Sequence, residues 1–301
     1  MKFHRLALVV ASLVSVGQLC AQDYTFKVLV NKGKNELKSG ETWQQVKVGS
    51  ALQSHDELRV AENSYIGLVH KTGKPLELKQ SGKYRVMDLA AKVTDGPSVL
   101  NKYTDFILST NTGPKTNLAA TGAVDRGLGN IHVHLPKPEL AVVYGNNVTI
   151  SWEEDKAIKP YVVVFKSMFG DELNTVETSD SHMTVNLDDK NFVNEDNIIV
   201  TVYSKTDKSK VSDEYTLKRL SKADKERIKS LLNEIAADTS EPNAFNKFIL
   251  AGFYEQNGLL IDATSYFLEA IKLAPDVTNY KEDYDAFLLR HNIKKLPPPK
   301  K

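Results

Sequence analysis

The residues best equipped for chemistry are two histidines, His132 and His134, spaced two apart in Ile131-His132-Val133-His134-Leu135. On an extended strand alternate residues share a face, so both imidazoles would sit together. Two imidazoles can begin a zinc site, but such a site needs a third or fourth ligand, and none stands at a telling spacing. The pair is read as edge-strand histidines alternating with core residues. His55-Asp56 has the composition of half a proton relay, yet Asp56 is better explained as a turn residue. Glu153-Glu154-Asp155 offers carboxylates of the type that serve glycoside hydrolysis, but adjacent acids after a strand read as a solvated turn. Asp188-Asp189 with Asp196 nearby lacks the ligand spacing of a dedicated calcium loop. Gly127-Leu128-Gly129 is not followed by Lys-Ser/Thr at a helix start, as a phosphate loop requires, and no Gly-x-Ser-x-Gly elbow occurs. The expectation is a protein with no catalytic residues, no metal and no cofactor, that is, not an enzyme.

The start of the chain points to export. Lys2 and Arg5 precede an uncharged apolar run over 6–16, and Gly17 to Ala21 break it and end on a small residue. That is the layout of a secretory signal peptide, with cleavage expected after Ala21. The run is shorter than the roughly 20 apolar residues a membrane-spanning helix requires. An uncleaved anchor is the alternative. Lipid attachment at Cys20 is disfavoured by the large Leu19 before it. Cleavage would leave 37 basic and 38 acidic residues and no cysteine. Disulfides, thiol nucleophiles and Cys-ligated metals are then excluded from the mature chain. A near-neutral chain also lacks the basic footprint of a nucleic-acid binder. The expected location is the periplasm, or an outer-membrane-associated or secreted state.

Residues 22–110 read as a β-rich domain with a trailing helix. Thr25 to Val30, Trp43 to Val48, Leu58-Val60, Tyr65 to Val69, Leu76-Leu78 and Tyr84-Val86 form short runs, separated by turn-formers such as Lys32-Gly33-Lys34-Asn35 and Thr72-Gly73. Such spacing predicts a small sandwich or roll. The cadence Val48-Gly49-Ser50-Ala51-Leu52, Asp56-Glu57-Leu58, Asn63 to Leu68 and Gly73-Lys74-Pro75-Leu76-Glu77-Leu78 resembles the FecR-like periplasmic domain. In that family the domain passes envelope signals through a membrane helix. No segment after the export signal approaches spanning length, so this role is not implied here. Val99, Leu100, Tyr103, Phe106 and Ile107 mark one face of a helix over 98–109, with Ser98 placed to cap it. That helix is expected to pack on the first β unit. Residues 111–137, with several glycines, read as a linker.

Residues 138–220 form a second β-rich unit. Asn147 to Trp152 alternates, Tyr161 to Phe165 is continuously apolar, and Met183-Val185-Leu187 and Ile198-Val200-Val202 alternate again. The pattern resembles a fibronectin type III or immunoglobulin-like sandwich, with Trp152 as the inward tryptophan. Ile198 stands where the fibronectin pattern has a tyrosine, so the tyrosine corner is missing.

Residues 221–293 read as helices, followed by a basic Pro-rich tail over 294–301. Counting back from Pro275, the residues Leu250, Ala251, Tyr254, Gly258, Ala263, Phe267, Ala270 and Pro275 fall on the marked places of a tetratricopeptide repeat; Lys247 departs from it at the first aromatic place. The pattern predicts helices over about 243–256 and 260–273. Ile228, Leu231, Leu232 and Ile235 before it, and Tyr280, Tyr284, Phe287, Leu288 and Ile293 after it, predict flanking helices that cover the repeat. The resemblance implies a concave groove that holds a peptide or protein.

The fold expected is therefore multi-domain: two β-rich domains, then an all-α tetratricopeptide-like unit. The combination resembles exported envelope proteins of Gram-negative bacteria. It implies a non-enzymatic scaffold or adaptor whose partners are envelope proteins held by the helical unit. A carbohydrate- or cell-wall-binding module, with Trp43, Trp152, Tyr161 and Tyr203 as stacking surfaces, and a regulator of envelope signalling are the alternatives.

Overall fold

The computed structural model describes residues 24–93, 96, 98–111 and 131–294. A β region over 26–220 is followed by a helical region over 222–290. The export segment, most of the proposed linker and nearly all of the basic tail lie outside the described residues. Among those residues, no helix is long and apolar enough to cross a membrane.

The first β unit runs β1 (Phe26–Lys32), β2 (Glu36–Ser39), β3 (Thr42–Gln45), β4 (Ala51–Leu52), β5 (Glu57–Val60), β6 (Tyr65–His70), β7 (Pro75–Leu78) and β8 (Gly82–Arg85), closed by α1 (Val86–Ala90). One sheet has the order β4-β1-β6-β7 and the other β3-β2-β5-β8. Phe26, Val28, Ile66 and Leu68 from the first sheet meet Leu58 and Val60 from the second in a shared core. The β1–β6 register shifts between Val28 and Val30. A bulge of this kind changes the facing of successive residues. Leu29 and Val30 therefore both lie on the outer side of the first sheet, with Tyr65 and Val69, against helices.

Helix α2 (Asn101–Asn111) follows. Ser98 Oγ accepts from Leu100 N at 3.1 Å, tying down the entry to the helix. Its packing differs from the expectation. Besides touching β1 it lies against the helical region, where Tyr103 packs edge-on to Phe253 at 4.9 Å between centroids.

The second β unit contains β9 (Val142–Val143), β10 (Asn147–Ser151), β11 (Tyr161–Ser167), β12 (Glu172–Thr178), β13 (His182–Asn186), β14 (Asn197–Ser204) and β15 (Tyr215–Arg219). Strands β12-β11-β14-β15-β9 make one sheet and β10-β13 the other. Trp152 is buried in the core between them, edge-on to Tyr161 at 5.4 Å. Residues 131–135, assigned above to the linker, belong to this unit. Ile131, Val133 and Leu135 enter its core, and His134 N donates to Ser151 O at 2.7 Å. Their alternating apolar side chains have a core to fill, which a linker would not provide.

The helices are α3 (Lys222–Ile235), α4 (Ala244–Gln256), α5 (Leu260–Leu273) and α6 (Thr278–Arg290). Ser221 caps α3 by accepting from Asp224 N, and Asn243 caps α4 by accepting from Asn246 N. Three residues connect α4 to α5. Gly258 lies among them at φ +75°, a backbone conformation that glycine adopts without a Cβ penalty.

Candidate functional site

The repeat-motif residues take up distinct positions in the helical hairpin. Leu250, Ala251 and Tyr254 lie on α4, Gly258 in the turn, Ala263, Phe267 and Ala270 on α5, and Pro275 just beyond its end. Ala251, Tyr254, Ala263, Phe267 and Ala270 are buried. Lys247, at the position that departs from the pattern, reaches from α4 to α5. It pairs with Glu269 at 2.6 Å and lies 4.8 Å over the Tyr266 ring.

The cover on this hairpin comes from both β units and from α2 and α6. The outer face of the first sheet lies on α4. There Gly67 permits close approach: a Cβ at this position would stand 2.5–2.9 Å from the Phe245 ring. Lys74 of the first unit pairs with Asp238 at 2.8 Å in a largely buried contact. The hydroxyl of Tyr65 meets that of Tyr280 at 2.7 Å and donates to Glu77. Burial, with the nearby Tyr280 and Glu77, pushes the Tyr65 hydroxyl far up, so it stays protonated at neutral pH.

The other side of the hairpin meets β10. Val148 and Ile150 point into the sandwich, whereas Thr149 and Ser151, on the opposite face, are also buried. Thr149 N donates to Ser265 Oγ at 2.8 Å, and Ser151 Oγ meets the Tyr284 hydroxyl at 2.9 Å. Asp262, in the first turn of α5, accepts from Tyr144 N at 2.9 Å and Gly145 N at 2.7 Å. Burial pushes its carboxyl up from an ordinary value near 3.8 to about 6, opposed by those two amides, its own amide and Lys225. Sequence reasoning missed this joint. Its one visible sign is Asp262, Thr264 and Ser265 standing within an otherwise apolar helical run.

The histidine pair belongs to the same region. The rings of His132 and His134 lie 6.1 Å apart on one face. His132 Nε2 reaches Ile293 O at 2.6 Å, and His134 Nδ1 reaches Ser151 Oγ at 3.1 Å. Burial, then the positive field of Lys294 and of His132, pushes His134 down to about 3, leaving it neutral. Among the described residues no group of three or more His, Cys, Asp or Glu gathers to hold a metal.

The remaining acids are dispersed. Asp56 Oδ2 accepts from Gln53 N at 2.7 Å as a turn residue. Asp155 caps the 3-10 turn over 156–158, and Glu154 is held below its usual range by a hydrogen bond from Lys159. Asp188 accepts from Asn146 Nδ2. The four aromatics do not form one stacking surface. Trp152 and Tyr161 are buried, whereas Trp43 lies in the other β unit with Arg59 3.9 Å over its ring. Gly127-Leu128-Gly129 lies outside the described residues.

No protein-family model matches the chain, and no curated protein matches it.

A cleft of about 390 Å³ lies between the first β unit and the helices, lined by Lys32, Asn63, Tyr65, Lys79, Leu273 and Asp276 among others. Lys32 pairs with Asp276 across it, which holds that carboxyl below its usual range. Lys79 pairs with Glu77 at 3.0 Å. The cleft offers two ammonium groups, a carboxylate and the apolar Leu273, a mixture suited to holding a polar group beside an apolar one. The high pKa of Tyr65 removes it as a ready base at neutral pH.

Proposed function

We propose that the protein is a non-enzymatic scaffold or adaptor of the bacterial cell envelope, exported through residues 1–21 and acting on other envelope proteins. The observation that carries this reading is the use made of its reactive side chains. Asp262, Ser265, Tyr284, Ser151 and His132 are engaged in hydrogen bonds that join the helices to the second β unit. Tyr65, Tyr280 and Lys74 join them to the first. These contacts build a three-part bracket with its helical hairpin as the central piece. A bracket of this kind holds two β modules at a set relation, which suits presenting surfaces to partners.

The envelope location rests on the layout of residues 1–21 and on the resemblance to FecR-like, fibronectin-like and tetratricopeptide-like modules. The repeat resemblance favours partners bound by the helices. Because α4 and α5 are enclosed within the molecule, the helical contribution comes from their outer rim, including the Lys32–Asp276 cleft. The full chain, crosslinked in intact cells and isolated with its neighbours, is expected in a discrete complex with one or a few envelope proteins. Migration solely as a free chain that binds peptidoglycan or glycans would replace the adaptor reading with the cell-wall-binding one.

A further inference from the structure

The surface feature that the bracket does not explain is the tip of the β11–β12 hairpin. Phe169 is 94% exposed and Met168 beside it is 55% exposed. The turn that carries them is closely braced. Ser167 N donates to Asp171 O at 2.8 Å, and Gly170 N donates to Ser167 O at 3.1 Å. Ser167 Oγ accepts from Phe169 N at 3.1 Å and from Asp171 N at 3.2 Å. The chain thus orders the backbone of a turn whose most prominent side chains are apolar. A solvated turn would be served by polar residues, and a turn whose backbone is already ordered loses little further backbone freedom when it binds.

A third exposed apolar residue lies at the same end of the unit. Ser167 pairs with Ile198 near the start of β14, and the Phe192 ring packs on Phe165 at 5.3 Å, which brings the preceding loop to this end. Val193 in that loop is exposed. The apolar residues are set among acids. Asp171, Glu172 and the four carboxylates of residues 188–196 stand against Lys166, Lys190 and Arg219, whose guanidinium is taken up by the carbonyls of Leu187, Phe192 and Glu195. This charge opposes approach to an anionic membrane surface and complements a basic rim.

We propose that Phe169 and Met168 form a docking knob for a partner protein, inserting into an apolar socket edged by lysine or arginine. This rests on the adaptor reading and names the surface through which it acts. A photoreactive benzophenone side chain placed at position 169 of the full chain, in the cells that make it, tests the proposal. The expected result is one discrete adduct with a different protein, weakened when Asp171→Lys and Glu172→Lys are added. With that protein purified, Phe169→Ala lowers affinity on the order of 30-fold, the loss typical of a buried aromatic anchor. The melting temperature stays unchanged, because the side chain touches little in the free protein.

A benzophenone at Lys79, in the cleft, separates the two ideas. Capture of a partner from position 79 and not from 169 overturns the knob and leaves the adaptor reading standing. Capture from neither overturns both. An adduct between two copies of this chain, or Phe169-dependent sedimentation with phosphatidylglycerol–phosphatidylethanolamine vesicles, overturns the knob in favour of self-association or a membrane surface.

Discussion

Asp262 concentrates the chemistry of the joint in one side chain. It is almost fully buried, yet two backbone amides of the second β unit point at it. Its carboxyl titrates near 6 in the folded chain, above its ordinary value near 3.8. The folded state therefore binds the proton more tightly than the unfolded state. The stability this group contributes is fully present below pH 4 and is lost as pH rises to about 6, by about 3 kcal/mol. Asp262→Asn keeps an oxygen to accept from an amide and removes the titration. Urea midpoints measured at pH 4 and pH 7 should show the variant's pH dependence flattened, with stability lowered at pH 4, because the amide NH2 faces one of the two backbone N–H donors that the carboxylate accepts from. A variant that keeps the parent's slope would show that the carboxyl is not the titrating group.

At the scale of elements, Gly67 decides how closely a sheet and a helix approach. It lies on the outer face of β6 between Tyr65 and Val69, directly under Phe245 of α4. Gly67→Ala places a methyl where the ring stands, so the helix must move out or the ring must turn. Overpacking of this kind costs about 1–3 kcal/mol, and thermal unfolding should show it as a lowered midpoint. Phe245→Leu combined with Gly67→Ala should recover part of the loss, since the smaller side chain leaves room. Much of this level was legible in the sequence. The 3.6-residue spacing with Gly258 and Pro275 marked α4 and α5, and α5 spans Leu260–Leu273 as expected. Trp152 and the alternation over 198–202 marked the second core. Strand β12 escaped because Glu172–Thr178 is mostly polar, as an edge strand with much of its surface in water can be. The joints escaped for another reason. Asp262 and Tyr144 are distant in sequence, and an acid in the first turn of a helix already has a local explanation in the helix dipole. Only the tertiary arrangement shows that it serves a second unit.

For the molecule as a whole, the consequence is shared stability. The helices cover Leu29, Tyr65 and Val69 on one side and Thr149 and Ser151 on the other, Ser151 through Tyr284 of α6. Exposing the first three alone forfeits roughly 2 kcal/mol each, about 6 kcal/mol together. That is comparable to the entire 5–15 kcal/mol that stabilises a typical domain. On the second side hydrogen bonds are lost, whose freed hydroxyls and amide regain water, together with Ile261 of α5, which sits in the sandwich core, and the cover on Val142 and Tyr144. The two β units should therefore respond unequally to removal of residues 221–301. The first, left with an apolar outer face, should bind a hydrophobic dye and aggregate. The second, whose β10 outer face carries the polar Thr149 and Ser151, loses less apolar cover and should retain most of its near-ultraviolet signal from Trp152. In the intact chain the units should melt together in one calorimetric transition, because neither can leave without uncovering the hairpin between them. Two well-separated transitions in the intact chain would mean that the joints are too weak to couple the units, and the bracket would then act as a flexible tether.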